Sequence, residues 1–374
     1  MNLGSVPGTG NVRVIDARGR RFGWSAYLKS WLGGDRIRAR VQVARSQVQW
    51  DFEALLPLFP HRLPEVLDSA ARRTLEHPPQ LRTGFDRVEI QEPSRTHRGP
   101  IRLLHRLLSK PDWQVERLVT DPFQFGRVLT EPMIPLSGVL RADPFALRVQ
   151  GEDWLLFEEM RPGDRGRLRA ASRTENGWKV RDGEILSLPH HLSWPCVFEL
   201  EGKIFMLPES GEVGEVALWE CEEFPYRWRK AKILLSGRPW HDPCLVRHDG
   251  LWWLFVSPGG NSTHDHSAEL DIFSSPDPLT TAFEPHPLNP VSLSVAGARP
   301  AGNLFHHGGD LIRPAQDCRG GYGAALLIQR IDRLTPTEYS VSTMGRLDPP
   351  AGARGIHTLN ALPDGGWVVD VLRP

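Results

Sequence analysis

Short apolar strands separated by glycine turns recur along the chain from about residue 113 to the C-terminus. The two clearest copies begin Ala142-Asp143-Pro144-Phe145 and His241-Asp242-Pro243-Cys244. In each, a glycine follows eight residues after the aspartate, and an aromatic run follows that: Trp154-Leu155-Leu156-Phe157 or Trp253-Leu254-Phe255. Short strands alternating with glycine turns predict antiparallel β-hairpins.

Three weaker copies keep the same spacing. They begin at Ser193-Trp194-Pro195-Cys196, Arg299-Pro300-Ala301-Gly302 and Ile356-His357-Thr358-Leu359. Aligning all five copies matches one anchor residue in each, namely Asp143, Trp194, Asp242, Ala301 and His357. A repeat of roughly 50 residues is typical of propeller blades. The sequence therefore predicts a mostly β fold, with a five-bladed β-propeller over residues 111–374.

Residues 1–110 lack the repeat and are predicted to form a small α/β N-terminal segment. Polar and apolar residues alternate over 37–43, which predicts a strand, and another short strand is expected at 12–15. Helical patterns occur at 24–31, 64–75 and 98–110. Within the propeller, Trp178 and Trp228 are expected in third strands. The outer strand of the fifth blade is expected from residues near 113–130, because that pairing closes the ring.

Composition narrows the classes of protein that this chain can be. Lys plus Arg and Asp plus Glu each total 45, a balance that does not favour bulk nucleic-acid or membrane-surface binding. No apolar run approaches the roughly 18–20 residues of a membrane span, and the first residues lack a signal-peptide pattern, so we expect a cytoplasmic protein. None of the four cysteines forms a CxxC pair, which favours reduced packing residues. No metal or cofactor is expected, and the oligomeric state stays open.

The alignment also predicts where the chemistry lies, because a propeller brings one edge of every blade to a central channel. The anchors form one ring. A second ring, fifteen residues after each anchor, consists of Glu158, Glu209, Ser257, Gln316 and Leu372, with Asp317 adjacent. Carboxylates that converge in one cleft acquire different pKa values, as an acid–base pair requires. Glycosidic cleavage uses such a pair. An Asp-Pro pair can also simply cap a turn.

Other channel residues are assigned to substrate binding. Trp194 and His357 offer stacking surface for a sugar ring, and Glu158, Gln316 and Asp317 offer polar contacts. Two basic residues of the fourth copy, Arg299 and Arg313, suit an anionic part of a substrate. His241 either orients Asp242 or is a core histidine with satisfied hydrogen bonds.

Several stretches, taken as a set, carry a family resemblance. Besides the repeats, they include 206–210 (MLPES), 286–291 (HPLNPV), 298–302 (ARPAG) and 313–318 (RPAQDC). The chain resembles the five-bladed propellers of glycoside hydrolase families 43, 62 and 68. It is more similar to the propeller domain of glucosamine inositolphosphorylceramide transferases and their bacterial relatives. In those relatives the propeller often follows a nucleotide fold, so the resemblance implies that residues 1–110 are a truncated remnant of one.

The family 43 resemblance implies an Asp base, an Asp that modulates pKa, and a Glu acid. Asp143 matches the base and Asp242 the modulator. Glu209 is the expected proton donor, but it departs from the pattern, because it precedes Asp242 whereas the hydrolases' Glu follows the second Asp. We expect a carbohydrate-active enzyme that transfers or hydrolyses a glycosyl group of a small-molecule or glycan substrate. The alternatives are a non-catalytic glycan-binding module, and a repurposed propeller enzyme that acts on a non-sugar metabolite in a biosynthetic pathway.

Overall fold

The computed structural model describes residues 112–374, except 136–137, 162, 260–268 and 295, and four strands nearer the N-terminus. These strands form one sheet in the order β1-β4-β2-β3. They are β1 (Val12–Val14), β2 (Arg36–Val43), β3 (Gln49–Leu55) and β4 (Phe85–Gln91). The first two confirm the strands predicted there. The three predicted helices lie outside the described residues. Within the described ranges, no helix is long and apolar enough to cross a membrane.

Five further sheets confirm the five-bladed propeller. Three short strands come first: β5 (Asp112–Leu118), β6 (Gly126–Arg127) and β7 (Thr130–Pro132). Blade I consists of β8 (Leu140–Val149), β9 (Glu152–Met160), β10 (Arg167–Thr174) and β11 (Gly177–Val180). Blade II consists of β12 (Ser193–Leu200), β13 (Lys203–Glu209), β14 (Glu215–Glu223) and β15 (Arg227–Ser236).

The remaining blades are less regular. Blade III consists of β16 (Trp240–His248), β17 (Leu251–Pro258), β18 (Glu269–Ser275), β19 (Glu284–Pro285) and β20 (Ser292–Leu293). Blade IV consists of β21 (Ala296–Pro300), β22 (Phe305–His307), β23 (Asp310–Asp317), β24 (Ala325–Leu334) and β25 (Tyr339–Asp348), with β6 added in parallel. Blade V consists of β26 (Gly355–Ala361) and β27 (Trp367–Arg373), followed in the sheet by β5 and β7.

Blade V joins the two ends of the propeller, as the sequence predicts. Strand β27 pairs antiparallel with β5 over its whole length, from Trp367 opposite Leu118 to Arg373 opposite Asp112. Arg373 also forms two bonds of 2.7 and 2.8 Å to the buried Glu116 carboxylate. Closing the ring in this way removes two free sheet edges.

Three of the five repeat anchors share an unusual backbone conformation. Asp143, Trp194 and Asp242 have φ angles of 52°, 51° and 52°, in the left-handed region that non-glycine residues seldom adopt. Each lies in a β-bulge between the first two strands of its blade. A bulge re-aims the side chains next to it, and here it does so at the same level of blades I, II and III.

The hairpin turns after these bulges also match. In blade III, Asp249 and Gly250 have φ angles of 47° and 81°, and blades I and II repeat this pair of positive angles. Two consecutive positive φ angles define the type I′ turn, which fits the twist of a hairpin. In blade V only Gly365 is left-handed (φ 85°), because a five-residue loop replaces the two-residue turn.

Two details of the predicted strand assignment were wrong. Trp178 and Trp228 lie in the fourth strands of their blades, because β10 and β14 already occupy the third positions. In blade V, the residue opposite Ile356 is Val371 and not Leu372. The longer loop and shorter strands of this hairpin shift the register by one residue. Both residues are apolar, so the fifth blade still adds no polar group at this level.

Trp194 contributes to the core between the blades and not to the channel surface. Its side chain is fully buried and meets Phe145 edge-on, with 5.2 Å between ring centroids. The indole N–H donates to the carbonyl of Pro243 in blade III at 3.0 Å. The expectation that Trp194 stacks on a substrate is therefore corrected, because no face of the ring is accessible.

We predict that Trp194→Ala lowers the free energy of unfolding by about 3–5 kcal/mol, because it leaves a large cavity between blades. Urea denaturation followed by circular dichroism measures this change. Tyr226→Ala is the control, because Tyr226 is half exposed and its loss should change stability by less than about 1 kcal/mol. Equal losses for the two variants would contradict the assignment of Trp194 to the core.

Candidate functional site

A buried histidine between two aspartates forms the centre of the site. Nε2 of His357 lies 3.1 Å from Oδ1 of Asp143, and Nδ1 lies 2.7 Å from Oδ1 of Asp370. All three side chains are buried. Asp370 also accepts backbone N–H bonds from Asp143 (2.8 Å), His357 (3.2 Å) and Thr358 (3.0 Å). One carboxylate thus holds the bulge of blade V and that of blade I.

These contacts shift the pKa values of the three groups in different directions. Burial would lower the pKa of His357, but Asp370 and Asp143 raise it to about 10, so the ring is an imidazolium at neutral pH. Burial would raise the pKa of Asp370, yet His357 and the backbone bonds hold it below its ordinary value. Burial raises the pKa of Asp143, and His357 opposes that rise. His357 therefore favours the ionised form of Asp143 and partly offsets the effect of burial.

The same three side chains could each give a ligand atom to a metal ion, since these atoms lie within 4.8 Å of one another. Metal binding requires a deprotonated histidine. The two carboxylates raise the pKa of the ring, so a metal ion would have to displace a proton from His357 to bind there.

Glu158 occupies a different environment on the neighbouring strand of blade I. Its backbone lies opposite Ala142, next to Asp143, and its side chain is buried. Burial raises its pKa well above the ordinary value, and the negative charges of Asp143 and Glu209 raise it further. Glu158 is the group in blade I that most strongly favours its protonated form.

Gly166 and His191 fix the position of the Glu158 carboxyl group. The N–H of Gly166 donates to Nδ1 of His191 at 2.9 Å, which places the ring proton on Nε2. That nitrogen lies 3.5 Å from Oε1 of Glu158. A Cβ atom at position 166 would come within 2.2 Å of the same oxygen. Only glycine allows the backbone to approach the carboxyl group so closely.

Glu209 lies in the channel as predicted, but its oxygens are already engaged. Oε1 lies 2.9 Å from Nδ1 of His241, and Oε2 accepts a 3.0 Å bond from the N–H of Asp242. Burial would raise the pKa of Glu209, but His241 and Arg299 hold it well below its ordinary range. His241 is thus paired with Glu209. A carboxylate that is ionised and held by two hydrogen bonds is poorly suited to donate a proton.

Asp242 is paired with Arg299. Nε and Nη2 of Arg299 donate to the two carboxylate oxygens at 2.6 and 3.0 Å, and Gln316 donates to one of them at 3.3 Å. Burial raises the pKa of Asp242 and the adjacent guanidinium opposes this. Gln316 and Arg299 are therefore at the site, where they orient Asp242.

Two predicted binding residues are engaged within their own blade. Arg313 is buried and donates to the carbonyl of Gly297 and to Gln329 at 2.7 and 2.6 Å. Asp317 bonds the guanidinium groups of Arg319 and Arg346. Because these contacts use their charged groups to hold blade IV together, the structure gives no support to a substrate-binding role for either.

Aromatic rings form one wall of the site. His357 lies 4.1 Å from Trp113 and 5.2 Å from Tyr322, measured between ring centroids. The guanidinium carbon of Arg299 lies 4.9 Å from the centre of the Tyr322 ring. Trp113 is buried, whereas Tyr322 is 42% exposed. Tyr322 is thus the accessible aromatic residue of this wall.

Sequence reasoning missed Asp370, His191, Gly166 and Tyr322. Asp370 had a detectable signal, because it is the one acidic residue in the apolar run 367–372 (WVVDVL). The equivalent positions in blades I to III carry Phe157, Pro208 and Val256, so the repeat alignment assigns no polar role there. The other three lie in loops or strand ends whose positions depend on contacts between blades, and no local pattern reports those contacts.

Comparison with protein families identifies the propeller. Residues 127–351 match the family described as "Glucosamine inositolphosphorylceramide transferase 1, N-terminal". The chain belongs to this family. The resemblance seen in the sequence is thereby confirmed.

Individual members of the family are moderately similar. The chain is 37% identical over 266 residues to glucosamine inositolphosphorylceramide transferase 1 of Oryza sativa subsp. japonica, which covers 67% of this chain and 35% of that protein. It is 36% identical over 227 residues to the Arabidopsis thaliana protein of the same name, covering 59% and 29%. The chain therefore spans about a third of the length of these relatives.

The solved structures that align with this chain include glycoside hydrolases. Zg3597, a family 117 glycoside hydrolase from Zobellia galactanivorans, aligns with 70% of this chain and 89% of its own, with 15% identity and a TM-score of 0.45. The family 43 β-xylosidase/α-arabinofuranosidase CoXyl43, from a compost metagenome, aligns with 63% and 86%, with 14% identity and a TM-score of 0.47.

The cluster around His357 predicts a pH-dependent effect of Asp370→Asn. A histidine whose pKa is raised by folding stabilises the protein fully below its ordinary pKa of 6.5. That stability is lost as the pH rises through about 10. Asp370→Asn should therefore cost about 3 kcal/mol near neutral pH, and the cost should shrink as the pH approaches 10. Urea unfolding at a series of pH values measures it.

Glu116→Gln is the matched control for this measurement. Glu116 is also a buried carboxylate, but its partner is Arg373, which stays charged throughout this pH range. Its loss should cost the same at every pH. A pH-independent cost for Asp370→Asn as well would contradict a charged His357.

Proposed function

We propose that the channel is a carbohydrate-active site that breaks or transfers a glycosidic bond, with Asp143 and Glu158 as the reacting carboxyl groups. The supporting observation is their placement on adjacent strands of blade I, where burial raises the pKa of both groups but the imidazolium of His357 directly contacts only Asp143. The imidazolium of His357 keeps Asp143 available as a base or nucleophile. Burial and the charges of Asp143 and Glu209 raise the pKa of Glu158 well above its ordinary value, which favours the protonated form that a general acid needs.

Glu209 is reassigned in this proposal from proton donor to positioning residue. Its two bonds to His241 and to the Asp242 backbone connect blades II and III. They also keep its charge fixed next to Glu158, and that charge helps to raise the pKa of Glu158. The role first predicted for Glu209 thus passes to Glu158, which lies in the same ring one blade earlier. Asp242 retains the predicted role of modulating charge, through its pairing with Arg299.

The charges of the channel favour a neutral or positively charged sugar. Its acidic groups outnumber its cations, because Arg299 is neutralised by Asp242 and the imidazolium of His357 faces two aspartates. Arg313, which was expected to bind an anion, is occupied within blade IV. An amino sugar, as in the glucosamine of the relatives' name, would suit such a site better than a sugar acid.

Family membership supports a role in carbohydrate chemistry and leaves the type of reaction open. The transferases named above are about three times longer than the matched region, so their named activity need not belong to the propeller. That observation favours a second candidate, a propeller that binds a glycan for chemistry carried out by another domain. A cytoplasmic location, and action on a non-sugar metabolite, stay predictions.

We predict that Asp143→Asn and Glu158→Gln each lower kcat/KM for alkyl glycosides by about 10²–10⁴-fold without unfolding the protein. Assays with 4-nitrophenyl glycosides and with alkyl glycosides of the same sugar separate the two roles. Glu158→Gln should retain most activity on the nitrophenyl substrate, whose leaving group needs no proton, whereas Asp143→Asn should lose activity on both. Glu152→Gln, an exposed change on the same strand, is the control and should behave like the parent.

Selective recovery on nitrophenyl substrates in Glu209→Gln, and not in Glu158→Gln, would return the role of proton donor to Glu209. A parent protein that binds sugars but turns over none of them would instead favour the binding module.

A further inference from the structure

Tyr322 is exposed in a place where the surrounding groups are buried. It lies in the short loop between β23 and β24, and 42% of its surface is accessible. His357, Arg299 and Trp113, which its ring contacts, are all less than 10% exposed. An exposed aromatic ring in contact with a buried polar cluster has contact surface left for a ligand next to that cluster.

The loop that carries Tyr322 is held firmly against blade V. The carbonyl of Gly323 accepts a 2.8 Å bond from the N–H of Ile356. Gly323 has a φ of 62°, and a Cβ atom there would lie 2.7 Å from the Trp113 ring and 2.8 Å from Cβ of His357. Glycine is thus required for the loop to dock this closely. The position of Tyr322 is therefore set before any ligand binds.

The contacts of the ring also fix its orientation. The Arg299 guanidinium packs over the ring as a cation–π contact, which is typical for an arginine above an aromatic face. Trp113 meets Tyr322 at 85°, with 6.4 Å between centroids. Arg299, Trp113 and His357 thus cover part of the ring, while 42% of the residue stays accessible. A flat, preorganised aromatic surface suits the apolar C–H face of a pyranose.

We propose that Tyr322 is the sugar-stacking residue of this channel and holds one ring of a glycan beside Asp143. Tyr322 contacts His357, and His357 contacts Asp143, so a sugar stacked there lies next to the base. This assignment rests on the proposed carbohydrate function. It replaces Trp194, which is buried, as the aromatic residue that meets the substrate.

The test measures binding of trisaccharides of xylose, galactose and glucosamine by calorimetry, in a Glu158→Gln background that slows turnover. Tyr322→Phe keeps the ring and should bind within about twofold of the background protein. Tyr322→Leu removes it and should weaken binding about 5–10-fold, the range expected for one aromatic contact. Tyr226→Leu changes a similarly exposed tyrosine of blade II and should have no effect.

A pair of glycine variants tests the same proposal without removing the tyrosine. Gly323→Ala should displace the loop and weaken binding about as much as Tyr322→Leu. Gly352→Ala is the matched control, because Gly352 also has a positive φ (80°) but its Cβ would meet nothing within 4 Å. It carries similar backbone strain and should leave affinity unchanged.

The outcomes separate this proposal from the one on which it rests. Trisaccharide binding that is equal in Tyr322→Leu and the background protein overturns the role of Tyr322 and leaves the carbohydrate function standing. Failure of all three trisaccharides to bind, together with no turnover of any glycoside by the parent, overturns both. Loss of binding with an unchanged unfolding midpoint in Tyr322→Leu supports both.

Discussion

Hydrogen bonds from left-handed backbone bulges to carboxylates of neighbouring strands and blades hold the channel together. The N–H of Asp143 donates to Asp370 at 2.8 Å, and that of Trp194 donates to Asp143 at 3.3 Å. The N–H of Asp242 donates to Glu209 at 3.0 Å. A buried N–H without an acceptor costs as much as a lost hydrogen bond. The acids of the channel are therefore part of the architecture. Asp143 takes part twice, because its backbone N–H donates to Asp370 and its carboxylate accepts from Trp194.

This constraint also determines which acids can move protons. A carboxylate that accepts backbone bonds and faces a cation is stabilised in its ionised form, as are Asp370 and Glu209. Glu158 accepts no such backbone bond among those described, and burial and the negative charges of Asp143 and Glu209 raise its pKa against the smaller opposing effect of His357. The different pKa shifts of Asp143 and Glu158 follow from this division of roles. The negative charges of Asp370 and Glu209, which hold the structure together, help to raise the pKa of Glu158, which lies outside their hydrogen-bond network.

The fold was predictable from the sequence because a propeller repeats a local pattern. Each blade needs its own bulge, turn and aromatic strand, and these leave matched residues at fixed spacing. The site was predictable to the level of its two rings, since Asp143, Glu158 and Asp242 follow from the same alignment. The hydrogen-bond partners that side chains find in neighbouring blades were not predictable from the sequence. That Arg299 bonds Asp242, whereas Arg313 turns into blade IV, depends on side-chain direction in neighbouring strands, which spacing does not encode.

The order of acids along the chain, which separated this sequence from family 43, constrains the chemistry less than the sequence suggests. A ring has no first member, so any blade can bring a carboxyl group to the channel at the level of the second strand. What a proton donor needs is a buried position, nearby negative charge and no strong hydrogen bonds to its ionised form. Glu158 meets these conditions and Glu209 does not. The environment of each carboxyl group is therefore the proper basis for assigning the acid.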